Sequence, residues 1–188
     1  MSLEAFKNKI RDSDPETLAE EWFFKDSVHS IKDSNDYGSF KGLIKNDYSD
    51  ATDIAIMGSG NWGFSLNPDK AFRAFHEHSD IDVAIISPKD FELIWEDIRV
   101  YHRKKYYSIS YKNKQSLLRN GQNVYSGFVS PKWNPNRKSQ HRYNYEINTH
   151  NYSNQLVDFK KVNMMFFKSL NEVVDYYVRS IRLAKGNL

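Results

Sequence analysis

The stretch of sequence from Ile54 to Ser87 most constrains what this chain can fold into. It contains two short apolar segments, Ile54–Met57 and Ile81–Ile86, each bordered by turn-forming residues. Short, β-branched segments with such borders are typical of buried strands. The sequence therefore predicts two adjacent strands of one sheet, around which the other elements pack.

Polar residues stand at the ends of both segments. The first segment runs into Gly58 and Ser59, and the second begins after Asp80 and contains Asp82. Residues two apart in a strand point to the same face, so we expect the two carboxylates side by side. Carboxylate pairs suit Mg²⁺, which completes its coordination shell with water and substrate phosphates. Because a Gly-Ser turn offers N–H groups and a hydroxyl to a phosphate, the pattern indicates phosphoryl or nucleotidyl transfer.

The order of these residues resembles the signature of the DNA polymerase β-type nucleotidyltransferase superfamily. That signature is a hydrophobic strand ending in Gly-Ser or Gly-Gly, followed by Asp-x-Asp at a second strand. Here the two parts are Gly58-Ser59 and Ser79-Asp80-Ile81-Asp82. More narrowly, GSGNWGFSLNP with SDIDVAIIS is similar to small bacterial nucleotidyltransferase-domain proteins. The resemblance implies an α/β (α+β) nucleotidyltransferase fold with a small mixed sheet flanked by helices.

The resemblance also implies roles for individual residues. Asp80 and Asp82 are the expected catalytic residues and the expected ligands of Mg²⁺ or Mn²⁺. Gly58 and Ser59 are expected to bind the terminal phosphates of an NTP. An acceptor hydroxyl, on RNA or on a protein, then attacks the α-phosphate and releases pyrophosphate.

Members of the superfamily normally supply a third carboxylate from a later strand. Two positions fit, Glu146 and Asp158, because each lies between apolar residues. Asp158 is preferred, since aspartate is the usual residue and since it directly precedes the apolar segment Val162–Phe167. If neither is in place, the alternative is a degenerate nucleotidyltransferase-fold interaction module. Such a module would bind a partner protein or nucleic acid as a toxin–antitoxin or phage-defence component.

Two neighbouring groups of residues leave alternatives open. The run His76–His78 is compatible with a transition-metal site, but alternating residues of this kind on a loop are more typical of solvated side chains. Asn61, Trp62 and Phe64 are expected either to shape the nucleotide pocket or to pack in the core.

Charge is unevenly distributed along the chain. Of its 27 Lys and Arg residues, eleven lie in the basic segment 98–145, which contains no Asp or Glu; the other sixteen accompany 24 acidic residues. The segment interleaves these cations with tyrosines and Trp133. Cations that neutralise phosphates, together with aromatic rings that stack on bases, are typical of single-stranded nucleic-acid binding. RNA is the favoured partner, with Arg137 and Lys138 among its contacts, while an acidic protein or NTP phosphates would suit the same surface.

Composition limits the remaining possibilities. The chain has no cysteine, which excludes disulfides and thiolate metal sites. It has neither a membrane-length apolar run nor a signal-peptide-like beginning, so we expect a cytoplasmic protein without a membrane partner. Its 188 residues suit a single domain, with residues 1–50 as a helical extension packed on it.

Helical and strand periodicities predict the rest of the chain. Helices are expected at 2–10, from a Ser13–Glu16 capping box onward, at 37–45, at 68–76, after Ser87, at 112–121 and after Ser169. Two further strands are expected, at 143–149 from the alternation of Tyr143, Tyr145, Ile147 and Thr149, and at 161–167.

Overall fold

A computed structural model describes residues 1–188 as eight α-helices and a four-stranded sheet. The helices are α1 (Leu3–Asp12), α2 (Pro15–Phe23), α3 (Ser34–Asp47), α4 (Ser59–Trp62), α5 (Pro88–Lys105), α6 (Tyr111–Tyr125), α7 (Gln140–Tyr152) and α8 (Leu170–Lys185). The strands are β1 (Asp53–Met57), β2 (Ile81–Ile86), β3 (Phe128–Val129) and β4 (Val162–Phe167). None of the helices combines the length and the apolar character needed to cross a bilayer.

The sheet is mixed, with the strand order β1-β2-β4-β3. β1 pairs with β2 in antiparallel orientation, β2 pairs with β4 in parallel orientation, and β3 is antiparallel to β4. The predicted fold class, a small mixed sheet flanked by helices, is confirmed, and the two strands predicted from Ile54 to Ser87 are indeed adjacent. Asp82 of β2 lies opposite Met57 on one side and Asn163 of β4 on the other.

Strand alternation divides the core into two parts, one on each face of the sheet. Val83 and Ile85 belong to the part that packs against α3, α5 and α7. Ala84 and Ile86 belong to the part that packs against α1, α2 and α8. Asp82 lies on this second face, because it is two residues from Ala84.

The strand predicted at 143–149 is wrong, since these residues lie within α7. Ser139 caps that helix by accepting a hydrogen bond from the Arg142 N–H. The helix buries Tyr145 and Tyr152, which are two turns apart, and leaves Tyr143 exposed. The alternation of apolar and polar residues from Tyr143 to Thr149 therefore does not reflect the two faces of a strand.

Two smaller predictions also need correction. The helix expected at 68–76 is only a 3₁₀ turn, Pro68–Lys70, which ends because Ala71 adopts a left-handed conformation with φ of 43°. The cap of α2 is Asp14, not Ser13; its carboxylate accepts the Thr17 N–H at 2.9 Å. The short strand β3 was not predicted. The other predicted helices are present, in several cases with longer bounds.

Candidate active site

The turn after β1 brings Gly58 against Asp82. Gly58 has φ of +66°, a conformation that side chains other than glycine rarely adopt. A Cβ atom built at this position would lie 3.4 Å from the Asp82 Oδ2 atom. The contact follows from the β1–β2 register, which pairs Met57 with Asp82 and so places the next residue beside the carboxylate.

The two aspartates are linked by an asparagine of the neighbouring strand. Asn163 of β4 donates hydrogen bonds through Nδ2 to Asp80 Oδ2 at 3.1 Å and to Asp82 Oδ1 at 3.2 Å. Asp82 is half-buried, whereas Asp80 is exposed. The pair therefore points to one face, as the alternation of the strand predicts, and one amide group relieves part of the repulsion between the carboxylates.

Lys132 fixes the orientation of this amide. Its Nζ atom donates to Asn163 Oδ1 at 2.9 Å. A lysine ammonium can only donate, so Oδ1 faces Lys132 and the Nδ2 hydrogens face the aspartates. Burial lowers the pKa of Lys132, as does the nearby Lys161, while Asp80 and Asp82 act in the opposite direction.

Burial raises the pKa of Asp82 above its ordinary value, and the charge of Asp80 raises it further. The Asn163 hydrogen bond and the charges of Lys132 and Lys70 oppose this rise. The ionised form of Asp82 is therefore destabilised at this position. A bound cation would stabilise it.

Two cavities meet at the aspartates and contain all four predicted site residues. A cleft of about 540 Å³ is lined by Gly58, Ser59 and Asp82. A smaller cavity of about 160 Å³ is lined by Ser59, Asp80 and Asp82. The structure thus brings together residues that are more than twenty positions apart in the sequence.

The surroundings of the aspartates are rich in cations and in hydrogen-bond donors. Lys70 lines both cavities, and Arg119 and Lys132 line the larger one. The larger cleft also contains Trp62 and Asn123, which are 3% and 4% exposed. Trp62 Nε1 and Asn123 Nδ2 are buried donors without a protein acceptor. Buried donors of this kind favour an acceptor-rich ligand, because an unpaired buried polar group is costly.

The other members of the 61–64 stretch have structural roles. Asn61 is buried and donates through Nδ2 to the carbonyl oxygens of Trp22 and Ile56, at 2.7 and 2.8 Å. Phe64 stacks on Phe6 with ring centroids 5.0 Å apart. Of the three residues left open between pocket and core, only Trp62 lines the cleft. It also stacks on Trp22, at 4.1 Å between centroids.

Neither candidate for the third carboxylate lies on a strand. Glu146 lies on α7, where it is exposed and forms an ion pair with Arg142 at 2.9 Å. Asp158 is exposed and ends a 3₁₀ turn in a left-handed conformation. No third acidic or histidine side chain groups with Asp80 and Asp82 in an arrangement that could hold a metal ion. The position beside Asp82 on the later strand belongs to Asn163, a residue that the sequence analysis did not single out.

The run His76–His78 lies on the loop before β2. Glu77 and His78 are exposed and contact each other at 3.3 Å. His78 also lines the small cavity.

The donor set around the aspartates fits Mg²⁺. Asp80 and Asp82 offer carboxylate oxygens from one face of one strand end. Mg²⁺ characteristically binds one or two carboxylates together with water and phosphate oxygens. Asn163 holds the two carboxylates beside each other, as such a site requires.

Ser59 and Asp82 line both cavities, whereas Gly58 lines only the larger cleft and Asp80 only the smaller cavity. Comparisons of the chain with protein-family models, with curated proteins and with solved structures give no match.

Proposed function

We propose that this protein is a Mg²⁺-dependent nucleotidyltransferase, which transfers a nucleoside monophosphate from an NTP to a hydroxyl acceptor. One observation carries the proposal: Ser59 lines the same small cavity as Asp80 and Asp82, while the preceding Gly58 lies against the Asp82 carboxylate. A phosphate-binding turn beside metal-binding carboxylates is the arrangement that phosphoryl chemistry requires. A cytoplasmic location is part of the proposal.

Several residues that line the two cavities have proposed roles in binding the NTP. Gly58 permits close approach of the backbone, and Ser59 supplies a hydroxyl to the terminal phosphates. Lys70 and Arg73, which line the small cavity, contribute positive charge to the same phosphates. Mg²⁺ held by Asp80 and Asp82 would neutralise charge on the triphosphate.

The reaction joins the acceptor oxygen to the α-phosphorus. The bond between the α-phosphorus and the oxygen bridging to the β-phosphorus breaks, and its electron pair leaves with pyrophosphate. The proton of the acceptor hydroxyl passes to solvent, because neither Glu146 nor Asp158 lines either cavity. Orientation and charge neutralisation then supply most of the rate acceleration.

The test is label transfer from each α-labelled NTP, with Mg²⁺ and either total RNA or total protein as acceptor. We expect the wild type to transfer label from at least one NTP. Asp82→Asn should lower this transfer by about a hundredfold or more, the scale of losing one preorganised electrostatic group. Asp175→Asn is the matched control, since Asp175 is exposed on α8 and lines neither cavity. Equal transfer by wild type and Asp82→Asn contradicts the proposal.

A second candidate function is supported by Asn163. An amide stands beside Asp82 where an active superfamily member is expected to carry an acid. A degenerate interaction module would bind nucleotide, nucleic acid or a partner protein without transferring label. If the wild type binds NTP but transfers none to any acceptor, while Asn163→Asp does transfer label, this second function is favoured.

A further inference from the structure

A second concave surface lies between α5 and α6. This surface, here called the helical groove, has a volume of about 680 Å³ and carries positive side chains and aromatic rings together. Its lining includes the aromatic and arginine residues Trp95, Arg99, Arg103, Tyr106, Arg119 and Tyr125. No acidic side chain lines the groove. Apart from Trp95, its lining residues belong to the basic segment 98–145, and neither aspartate of the pair lines it.

The aromatic rings of the groove are accessible. Tyr125 is 92% exposed, at the end of α6. Trp95 and Tyr106 are half-buried, so each is held by its surroundings while part of its ring remains open. Leu118, which also lines the groove, is 50% exposed. Exposed aromatic side chains beside cations are suited to stacking on unpaired bases.

The cations of the groove are available for an external anion. Arg103 and Arg119 are exposed and form no ion pair with an acidic side chain. Arg99 does form one, with Glu96 at 3.1 Å on the same helix, and it also lies 5.9 Å from the Trp95 ring centroid. Exposed ion pairs of this kind contribute little to stability, so Arg99 can bind another anion in place of Glu96 at little cost.

The groove and the candidate active site meet at Arg119. This arginine lines both the helical groove and the cleft that contains Asp82. It also lies 5.9 Å from the ring of Trp133, a further aromatic residue of the cleft. A chain of phosphates crossing Arg119 would therefore pass from the groove to the aspartates.

We propose that the helical groove binds single-stranded RNA and leads the end of the strand into the cleft, where its terminal hydroxyl is the acceptor. The acceptor role rests on the proposed nucleotidyl transfer, whereas the binding does not. Phosphates contact Arg103 and Arg119, and bases stack on Tyr125 and Trp95. An acidic peptide would use the cations alone and leave the aromatic faces without a matching partner. Arg137 and Lys138, expected from the sequence to contact RNA, are exposed on the loop before α7 and line neither surface.

The experiment measures binding of a labelled oligouridine of about twelve nucleotides, a length within the range that single-strand sites cover. Fluorescence anisotropy is recorded in EDTA without NTP, so that neither metal nor turnover contributes. Arg103→Glu is compared with Lys104→Glu, its neighbour on α5 that does not line the groove. Tyr125→Ala is compared with Tyr111→Ala, which is 78% exposed on α6 and also lies outside the groove.

We expect the groove variants to weaken binding by about tenfold, the scale of losing one stacked base or reversing one phosphate contact. Arg103→Glu should also reduce the salt dependence of the affinity by about one counterion. The two control variants should bind within about twofold of the wild type.

Three results would overturn the proposal. The first is no affinity for the oligouridine, and the second is equal weakening by the groove variants and their controls. The third is tighter binding of a polyglutamate peptide than of RNA, which would assign the groove to an acidic protein. The outcome is independent of the proposed function: RNA binding without label transfer contradicts the enzyme alone, and label transfer without RNA binding contradicts the groove alone.

Discussion

The two faces of the sheet are built from the same strands but have different chemistry at one end. On the face toward α3, α5 and α7, β2 presents Ile81, Val83 and Ile85, all completely buried. On the opposite face, the same strand presents Ala84 and Ile86 to the core and Asp82 to the cleft. One face therefore serves stability alone, and the other serves stability along most of its length and chemistry at its end. A register shift of one residue would exchange the two faces and bury the carboxylate.

The largest expected effect comes from the apolar face. Ile85→Ala removes a completely buried side chain in the centre of the sheet. It should lower the free energy of unfolding by about 2–5 kcal/mol, the range for such truncations in cores. Urea denaturation, followed by circular dichroism, measures the change. A loss below about 1 kcal/mol would show that this face is less tightly packed than its burial indicates.

A smaller effect is expected at Gly58, in the turn after β1. Gly58→Ala forces a side chain into a backbone conformation, φ 66° and ψ −156°, that is nearly restricted to glycine and costs about 1–3 kcal/mol. It also places a Cβ atom 3.4 Å from Asp82 Oδ2. Both the free energy of unfolding and the rate of label transfer should fall. The matched control is Gly38→Ala within α3, where a Cβ atom meets nothing within 4 Å. That change should raise the stability by about 0.5–1 kcal/mol. Equal effects of the two variants would contradict the strain at Gly58.

The smallest expected effect is a pH dependence of the free energy of unfolding, which comes from Asp82. Because burial raises the pKa of Asp82, the folded protein binds this proton more tightly than the unfolded chain does. Ionisation of Asp82 therefore lowers the free energy of unfolding as the pH rises from about 4, the pKa of an unfolded aspartate, through the raised pKa. The Asp82→Asn variant has no ionisable group at this position, so its free energy of unfolding does not fall in this way.

The difference in stability between Asp82→Asn and the wild type should thus grow in favour of the variant as the pH rises above about 4. Urea denaturation in EDTA at several pH values measures it. Addition of Mg²⁺ at neutral pH should stabilise the wild type and not the variant, since only the wild type retains the carboxylate pair. A pH-independent difference would contradict the raised pKa of Asp82.

The strands and the aspartate pair were predictable because the relevant signals are local. The segments Ile54–Met57 and Ile81–Ile86 are short and apolar, and an aspartate between apolar residues of a strand is conspicuous. The capping serines at 87 and 169 mark the starts of α5 and α8 for the same reason, since a cap is set by a few neighbouring residues.

The partners of the aspartates were not predictable in this way. Asn163 contacts Asp82 across 81 positions of sequence, and Lys132 contacts Asn163 across 31 positions. Neither residue type is diagnostic, and the only local signal was the polar Asn163 beside apolar residues of a predicted strand. The assignment of a strand to Tyr143–Thr149 failed because α7 buries few side chains, so its helical periodicity is weak.

The parallel pairing of β2 with β4 has a consequence for how the protein folds. Asp82 and Asn163 come together only after the 81 positions between them have been brought round to the same side of β2. Closing so long a loop costs entropy before any contact repays it, and contacts between distant residues slow folding. The β1–β2 pair, by contrast, joins Met57 and Asp82 within a much shorter span. The candidate site is therefore expected to assemble late in folding. The hydrogen bonds from Asn163 to the two aspartates would be present only in chains that are almost completely folded.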